Sequence, residues 1–174
     1  MRDYACLMLD FKQPDFIKEI QKKIPENDLY FGETDEDKEN NIFGIEDESH
    51  ITIVYGLEND VAFGDLKEYL FPIEDYKTIL INISVFKNEN FDVLKVDARC
   101  PKASESNKKI SDNFEVHTEY KDFKAHMTIA YMKKGKADKY CKKMLDKIED
   151  LTPYEFNYSY SKDGKDKNEY YKKI

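Results

Sequence analysis

The sequence has no tryptophan, two arginines and three cysteines among its 174 residues. Arginine is the usual residue for bidentate phosphate clamps, so with Arg2 and Arg99 alone any phosphate must be held by lysines, hydroxyls or backbone amides. The cysteines are far apart and form no C-x-x-C pair, which argues against a disulfide framework and a zinc site. We therefore expect a reducing, cytoplasmic environment and no metal ion or other cofactor.

Long apolar segments are missing as well. The chain contains no run of about 18 apolar residues, the length that a membrane-spanning helix needs. Its apolar amino-terminal stretch is too short for a signal peptide and is interrupted by Asp10. The sequence thus predicts a protein without a membrane partner.

Basic residues are outnumbered by acidic ones, and the net charge is −8 at pH 7. Extended binding to nucleic-acid backbones depends on many phosphate neutralisations by lysine and arginine. An acidic chain suits that mode of binding poorly, but its net charge is compatible with a small anionic ligand. We therefore expect no long nucleic acid among the partners, and the sequence indicates no oligomeric state.

The composition that is present is that of a globular protein, with 40% hydrophobic and 14% aromatic residues. A chain of 174 residues is long enough for one domain with a well-buried core and too short for two ordinary domains. We predict a single domain over residues 1–174 that is built from two pseudo-symmetric lobes.

Apolar periodicity predicts the element order β-α-β-α-β-β-α-β-α-β-β. A strand over residues 4–11 opens the chain, and hairpins are expected around residues 87–90 and 162–165. The clearest helical pattern lies between Ala137 and Ile148, and the acidic residues 32–41 are expected to form an exposed loop. The order predicts an α+β fold with two antiparallel or mixed sheets and helices on their outer faces.

One short pattern occurs twice, as HITIVY from His50 to Tyr55 and as HMTIAY from His126 to Tyr131. Two of the three histidines of the chain lie in this pattern, each with threonine at +2 and tyrosine at +5. Both copies have the composition of a strand, and each is followed by a glycine and a predicted helix. The repeat indicates a structural duplication.

Alternation along a strand divides each copy into two faces. In the first copy His50 and Thr52 share one face with Val54, while the other face carries bulky apolar side chains and Tyr55. The same rule applies to the second copy. We therefore expect both motif tyrosines to pack in the core.

If the two strands lie next to each other, two imidazoles and two hydroxyls converge on a site the size of a phosphate. One neutral imidazole can accept a proton from an attacking hydroxyl while a protonated one delivers a proton to the leaving oxygen. The threonines can donate hydrogen bonds to phosphoryl oxygens without a metal, and a metal site is disfavoured because no Asp, His or Cys lies nearby at ligand spacing. The candidate catalytic residues are His50, Thr52, His126 and Thr128.

Other residues near the motifs are weaker candidates. His117 has no threonine partner and is interpreted as a structural polar residue. Asp47 and Glu48 lie close to His50, and we expect one of them to raise the pKa of His50 and favour its role as the acid. Lys133, just beyond the second motif, is a candidate for attracting an anionic ligand.

The segments ESHITIVYG and KAHMTIAYMKKG resemble the two signatures of the 2H phosphoesterase superfamily, which includes 2′-5′ RNA ligase-like proteins. Within it, the segments YACLMLDF, GIEDESHITIVYGL and HMTIAYMKKGKADKY most resemble small phage enzymes that degrade the cyclic nucleotide signals of bacterial CBASS defence. The resemblance implies a bilobal fold with a central cleft, the two H-x-T strands facing each other across it.

The resemblance also implies an activity. A ribose 2′-hydroxyl would attack the adjacent phosphodiester without a metal, with His50 and His126 as acid and base and Thr52 and Thr128 as phosphate anchors. The expected substrate is a small cyclic di- or oligonucleotide, cleaved in the host cytoplasm by a phage-encoded enzyme. Two alternatives stay open: a 2′-5′ RNA ligase-like or 2′,3′-cyclic phosphodiesterase acting on RNA ends, and a module that sequesters nucleotides without cleaving them.

Nucleobases are commonly held by stacking on aromatic side chains. Tyr4 on the first strand is a candidate for such stacking, and Glu155 is a candidate acceptor for a base edge.

Overall fold

The computed structural model describes residues 3–40, 42–120 and 122–174, and for residues 144–149 the backbone alone. The strands of the described chain are β1 (Ala5–Phe11), β2 (Ser49–Leu57), β3 (Thr78–Lys87), β4 (Phe91–Arg99), β5 (His126–Lys133), β6 (Lys142–Leu151), β7 (Glu155–Lys162) and β8 (Lys165–Tyr171). The helices are α1 (Asp15–Lys23), α2 (Asp35–Glu39), α3 (Phe63–Leu66) and α4 (Pro101–Asn113). Single 3₁₀ turns lie at Glu26–Asp28, Lys67–Tyr69, Ile73–Asp75 and Asp138–Tyr140.

The strands form two four-stranded sheets, with the orders β2-β1-β7-β8 and β5-β4-β3-β6. Every strand pair within the described residues is antiparallel. The strand with the first histidine motif, β2, lies at the edge of the first sheet, and β5, with the second motif, lies at the edge of the second sheet. The predicted α+β class with two sheets is confirmed.

The two motif strands meet where the sheets join, because β2 and β5 contact each other although they belong to different sheets. Two helices cross this junction. The helix α1 follows β1 of the first sheet but packs on β5 of the second, whereas α4 follows β4 of the second sheet but packs on β2 of the first. Each motif strand is therefore covered by a helix that enters from the other sheet.

The core is formed by the inner faces of both sheets and by the apolar sides of α1 and α4. Its largest fully buried side chains include Leu7, Leu9, Ile51, Ile53, Tyr76, Leu80, Phe156 and Tyr158. Full burial of a side chain of this size stabilises the fold by about 1.5–3 kcal/mol relative to leaving it exposed. The central strand β1 is apolar on both faces for this reason, apart from Asp10, which is 5% exposed.

Both predicted hairpins are confirmed. The strands β3 and β4 pair around residues 88–90, and β7 and β8 pair around Asp163 and Gly164. The φ angles of these two residues are 54° and 72°, the positive values that a two-residue type I′ turn requires. Asp-Gly is a preferred sequence for that turn, so local chemistry alone determines the end of the first sheet.

The helix predicted between Ala137 and Ile148 is wrong. After the 3₁₀ turn at Asp138–Tyr140 the chain continues as β6, which pairs with β3 at the edge of the second sheet. Without β6, the backbone N–H and C=O groups along one side of β3 would have no partners. Pairing with β6 supplies these hydrogen bonds, and this outweighs the helical periodicity of the segment. The side chains of residues 144–149, which carry much of that periodicity, lie outside the described residues.

The acidic segment of residues 32–41 is exposed as expected, although it contains the short helix α2. Thr34 caps this helix by accepting a hydrogen bond from the backbone of Asp37, whose carboxylate accepts one from the backbone of Thr34 in return. Residue 41 lies outside the described chain. Within the described residues, none of the helices combines the length and the apolar composition needed to cross a membrane.

Candidate active site

The histidine and threonine of each motif lie on the partly open face of their strand. In β2, His50 and Thr52 are half-buried, whereas the isoleucines that alternate with them are fully buried. In β5, His126 and Thr128 are half-buried, whereas Met127 and Ile129, which alternate with them, are fully buried. Each motif strand thus has one core face and one face that carries the polar side chains.

Each motif strand contains a β-bulge at the fourth residue of the motif. The pairing of β2 with β1 skips Ile53, and the pairing of β5 with β4 skips Ile129. An extra residue in one strand makes two successive side chains point to similar sides. As a result Ile53 and Val54 are both buried, at 1% and 2% exposure, and Ile129 and Ala130 are both 0% exposed.

The bulges also reverse the orientation of the residues that follow. Tyr55 is 52% exposed and Tyr131 is half-buried, on the same faces as the motif histidines. The prediction that both tyrosines pack in the core is therefore wrong, as is the assignment of Val54 and Ala130 to the histidine face. Simple alternation fails here because it counts every residue as one step of the pleat.

An amide side chain from a crossing helix holds each bulge. Asn107 of α4 donates from Nδ2 to the carbonyl oxygen of Ile53 at 2.8 Å, and Gln21 of α1 donates from Nε2 to the carbonyl oxygen of Ile129 at 3.0 Å. A bulge disrupts the regular ladder of backbone hydrogen bonds, so an additional donor stabilises it. Neither amide was a sequence candidate, since no local pattern relates a helix residue to a distant bulge.

Tyr131 approaches the second threonine from its new position. Its phenol interacts with the Thr128 side chain, while its ring packs edge-on against Phe43 at a centroid distance of 5.3 Å. Burial raises the pKa of Tyr131, the charge of Glu46 adds to this, and Thr128 opposes it. The phenol is therefore neutral and fixed beside the hydroxyl that is expected to anchor a phosphate.

The charge of His126 reaches His50. Burial and, to a smaller extent, the charge of His126 lower the pKa of His50 to about 4. Burial also lowers the pKa of His126. The contact between β2 and β5 places the two motif histidines near each other.

The hydrogen bonding of His126 determines which ring nitrogen can exchange a proton. Its Nδ1 lies 2.9 Å from the carbonyl oxygen of Lys124. A carbonyl can only accept, so Nδ1 carries a proton and donates it. This leaves Nε2 as the nitrogen that can bind or release a proton in the site.

A polar cluster of three side chains adjoins His126 on the neighbouring strands. Lys95 forms an ion pair with Asp97 and donates to the Ser84 hydroxyl at 2.8 Å, and Ser84 donates to Asp97 at 2.9 Å. Asp97 lies directly opposite His126 in the sheet. The lysine lowers and the carboxylate raises the pKa of His126, so this cluster adjusts the charge of the second histidine.

Asp10 occupies the position opposite His50, on β1. Burial raises the pKa of this carboxyl to about 6, a hydrogen bond from Asn157 at 3.1 Å opposes the shift, and the charge of Glu48 adds to it. The expectation that Asp47 or Glu48 raises the pKa of His50 is wrong, because the pKa of His50 is lowered. The desolvating effect of burial exceeds any attraction from these exposed carboxylates.

The candidate Tyr4 forms part of an aromatic cluster beyond the end of the first motif. Its ring stacks on His117 at a centroid distance of 4.8 Å and meets Tyr55 edge-on at 6.4 Å. His117 is a packing residue, as expected: its Nε2 lies 2.7 Å from Glu58, and its backbone lies where a Cβ on Gly56 would be. Gly56 has a φ of 101°, so this contact requires glycine.

The remaining two candidates, Glu155 and Lys133, differ in where they lie. Glu155 is opposite Asp10 on β7, and its charge contributes to the raised pKa of that carboxyl. Lys133 instead donates to the backbone oxygen of Asn27 at 2.7 Å, which directs its charge towards the loop after α1. The structure thus brings Glu155, but not Lys133, to the first motif.

The described residues contain no group of three or more histidine, cysteine or acidic side chains arranged to hold a metal ion. The chemical groups that the site does provide are two imidazoles and two hydroxyls on adjoining strands. These groups can transfer protons and donate hydrogen bonds to an anion.

Comparison with known proteins gives a likeness in fold. No protein-family model and no curated protein matches the sequence. Among solved structures, the chain is similar to Usb1 from Kluyveromyces marxianus, with a TM-score of 0.51, 8% identity and 99% of each chain covered. A structure of the same protein with uridine monophosphate gives a TM-score of 0.49 at 8% identity, with 99% of each chain covered. The chain has the bilobal 2H phosphoesterase fold that its motifs predict.

The prediction that no long nucleic acid is a partner is wrong. It depends on the net charge alone, and the likeness in fold to Usb1 contradicts it. A net negative charge disfavours extended contact with a nucleic-acid backbone but does not prevent a short cleft from taking the end of a strand.

Proposed function

We propose that this protein is a 2H-type phosphodiesterase that cleaves the phosphodiester next to a ribose 2′-hydroxyl, acting on RNA ends. The observation that carries the proposal is the junction of β2 and β5, where the charge of His126 acts on His50. Each strand adds a threonine on the same face. This combination supplies a base, an acid and two hydrogen-bond donors for one phosphate.

In the proposed reaction, His50 is the general base. Its lowered pKa of about 4 keeps the imidazole neutral at physiological pH, so it can accept the proton of the ribose 2′-hydroxyl. The 2′-oxygen then forms a bond to phosphorus while the bond between phosphorus and the 5′-oxygen breaks. The product is a 2′,3′-cyclic phosphate on one side and a free 5′-hydroxyl on the other.

His126 is the general acid, which protonates the leaving 5′-oxygen. The carbonyl of Lys124 and the carboxylate of Asp97 both favour its protonated form, and the negative charge of a bound phosphate favours it further. Thr52 and Thr128 donate hydrogen bonds to the non-bridging oxygens as charge develops there. No step of this reaction requires a metal ion.

RNA ends are the preferred substrate class because the fold is shared with Usb1. A second candidate is a cyclic di- or oligonucleotide, in which case a phage-encoded protein would remove the signal of CBASS immunity. The net charge of −8 favours this compact ligand. Both substrates contain the same reacting groups, so both would use the same four residues.

The experiment compares three sets of substrates at fixed pH: RNA oligonucleotides with different 3′ ends, 2′,3′-cyclic nucleotides and cyclic dinucleotides. Each is incubated with the protein and with the His50→Ala and His126→Ala variants, with and without EDTA. We expect cleavage of RNA ends that EDTA does not affect and that both variants lose. Cleavage of cyclic dinucleotides alone would replace the leading substrate with the second one, and binding without any cleavage would identify a sequestering module.

A further inference from the structure

A cavity of about 340 Å³ lies at the end of β1 and β2, beside the first motif. Its lining includes Asp10, Lys12, Asp47, Glu48, Ser49 and Tyr154. Its volume lies within the range of about 300–1,000 Å³ that is usual for small-molecule sites. Asp10 lies opposite His50 in the sheet, and Ser49 is the residue before His50 in the chain. The cavity is therefore next to the position expected for the reacting phosphate.

Two polar atoms of the lining are buried and unpaired. Asp10 and Ser49 are 5% and 2% exposed, and neither Asp10 Oδ1 nor Ser49 Oγ has a hydrogen-bond partner among the residues that the structure describes. Asn157 donates to the other carboxylate oxygen, Oδ2 of Asp10, at 3.1 Å. That bond leaves Oδ1 without a donor among the described residues, and because this atom is itself covered, the Asp10 side chain must turn for a ligand to reach it.

Unpaired polar atoms at this degree of burial are unusual, because each destabilises the free protein. The cost disappears when a ligand supplies the missing partner. Asp10 in particular requires a donor, since an ionised carboxylate can only accept. The lining therefore points to a ligand with N–H or O–H groups on one edge.

The charge of the lining indicates which part of a nucleotide this ligand is. The cavity carries the carboxylates of Asp10, Asp47 and Glu48 against the single cation of Lys12. A phosphate would be repelled by this group, whereas an uncharged ring with donors would not. Tyr154, which is 52% exposed, lines the same cavity, and nucleobases commonly stack on aromatic side chains.

We propose that this cavity binds the nucleobase next to the scissile phosphate and that Asp10 makes it selective for guanine. The inference rests on the proposed function for the identity of the substrate. The Watson–Crick edge of guanine presents N1–H and the N2 amino group side by side, two donors for one carboxylate. Ser49 belongs to the same lining, but its side chain lies on the strand face opposite to Asp10 and His50 and takes no part in this contact.

The other bases fit this lining less well. Adenine and cytosine each present one amino group beside a ring nitrogen that accepts, and that lone pair faces the carboxylate. Uracil presents one N–H between two carbonyl oxygens. Each of these bases places at least one acceptor against Asp10, which leaves an unfavourable pair of acceptors in the complex.

The test measures binding separately from cleavage. The four nucleosides, which have no phosphate, are titrated into the protein and followed by calorimetry or by NMR. We expect guanosine to bind about 10- to 100-fold more tightly than the other three, the difference that hydrogen bonds to a charged group produce. Inosine lacks the N2 amino group and should lose a large part of this preference, with no change to the protein.

Two variants complete the binding test. Asp10→Asn should reduce the guanosine preference by at least about tenfold. The control is Asp112→Asn, which removes the same charge from the surface of α4, where the carboxylate pairs with Lys108. This control should leave the preference intact. Equal binding of all four nucleosides, or a preference that Asp10→Asn and inosine leave unchanged, would overturn the assignment.

Cleavage of ribodinucleotides with each base on either side of the phosphate distinguishes this inference from the proposed function. Cleavage that favours guanosine on one side supports both. Cleavage without base preference leaves the phosphodiesterase intact and removes the guanine site. Guanosine binding without cleavage of any dinucleotide leaves the guanine site intact and removes the phosphodiesterase.

Discussion

Asp10 and His50 lie directly opposite each other on β1 and β2, and burial drives both towards their uncharged forms. The pKa of the carboxyl rises to about 6 while that of the imidazole falls to about 4. Because the carboxyl pKa lies above that of the imidazole, the two groups are rarely charged at the same pH and form no strong ion pair. Their burial therefore costs stability in the free protein.

Replacing Asp10 with asparagine should stabilise the free protein. The folded pKa of about 6 exceeds the unfolded value of 3.8, so ionised Asp10 destabilises the fold above pH 6 and has no such effect below pH 4. We expect Asp10→Asn to increase the free energy of unfolding by about 1–3 kcal/mol at pH 7. Urea denaturation at pH 7 and at pH 4 measures this, and a gain that is equal at both pH values would contradict the shifted pKa.

The rate should depend on pH through both histidines. The base His50 must be neutral, so kcat/KM should rise as the pH increases through about 4. The acid His126 must be protonated, so kcat/KM should fall as the pH increases through the pKa of His126, which is lowered from 6.5. Since a bound phosphate raises that pKa, kcat should stay high to a higher pH than kcat/KM.

The pH profiles of both parameters, recorded on one substrate, provide this comparison. A maximum of kcat/KM above pH 7 would contradict the assigned environments. If kcat and kcat/KM fall over the same pH range on the basic side, that result would also contradict them.

Removing either motif histidine should reduce kcat by about 10²–10⁴-fold, the usual contribution of a general acid or base. The matched control is the third histidine, which stacks on Tyr4 and packs against Gly56 outside the motif pair. We expect His117→Gln to retain most of the activity. Steady-state kinetics on all three variants, with circular dichroism to verify folding, tests this, and equal losses from all three would indicate a general structural effect.

The amide of Asn107 should be required for the geometry of the first motif. Leucine has a similar size but no donor, so Asn107→Leu would leave the carbonyl of the bulge residue Ile53 without this hydrogen bond. We expect kcat to fall about tenfold or more because His50 is displaced, with KM little changed. Surface residue Asn113, on the same helix, gives the control Asn113→Leu, since within the described residues its amide donates to the backbone oxygen of Lys109 in that helix. A loss of thermal stability without a loss of kcat would show that the Asn107 hydrogen bond does not position His50.

The Tyr131 phenol should act through Thr128. Removal of its hydroxyl in Tyr131→Phe keeps the ring packed on Phe43 but releases the threonine. We expect kcat to fall by about 2- to 10-fold, the range of one hydrogen bond. In the Thr128→Val background the same change should have no further effect, which a double-mutant cycle measures. Additive losses would show that the tyrosine acts independently.

Several features of this protein follow from short stretches of sequence. The Asp163–Gly164 turn, the strands around it and the polar face of each H-x-T strand depend on residues within a few positions of each other, so periodicity and turn chemistry predict them. The four candidate residues His50, Thr52, His126 and Thr128 were found in the same way. Their recognition required only that one unusual pattern occur twice.

Other features depend on contacts that no local pattern contains. The segment from Ala137 to Ile148 has helical periodicity, yet it becomes a strand because the edge of β3 has backbone groups to satisfy. The motif tyrosines turn to the histidine face because each strand carries an extra residue. Those bulges form where the register of a neighbouring strand and an amide from a distant helix stabilise them.

The sequence by itself determined which side chains are the candidates for the chemistry, because the type of a residue and its step along a strand are local properties. Only the tertiary structure decided that the two motif strands contact each other, that Asp10 Oδ1 and Ser49 Oγ have no hydrogen-bond partner among the described residues, and that burial keeps His50 neutral. Proximity, desolvation and strand register arise when segments far apart in the chain pack together, and the free energy of that packing is a property of the whole fold.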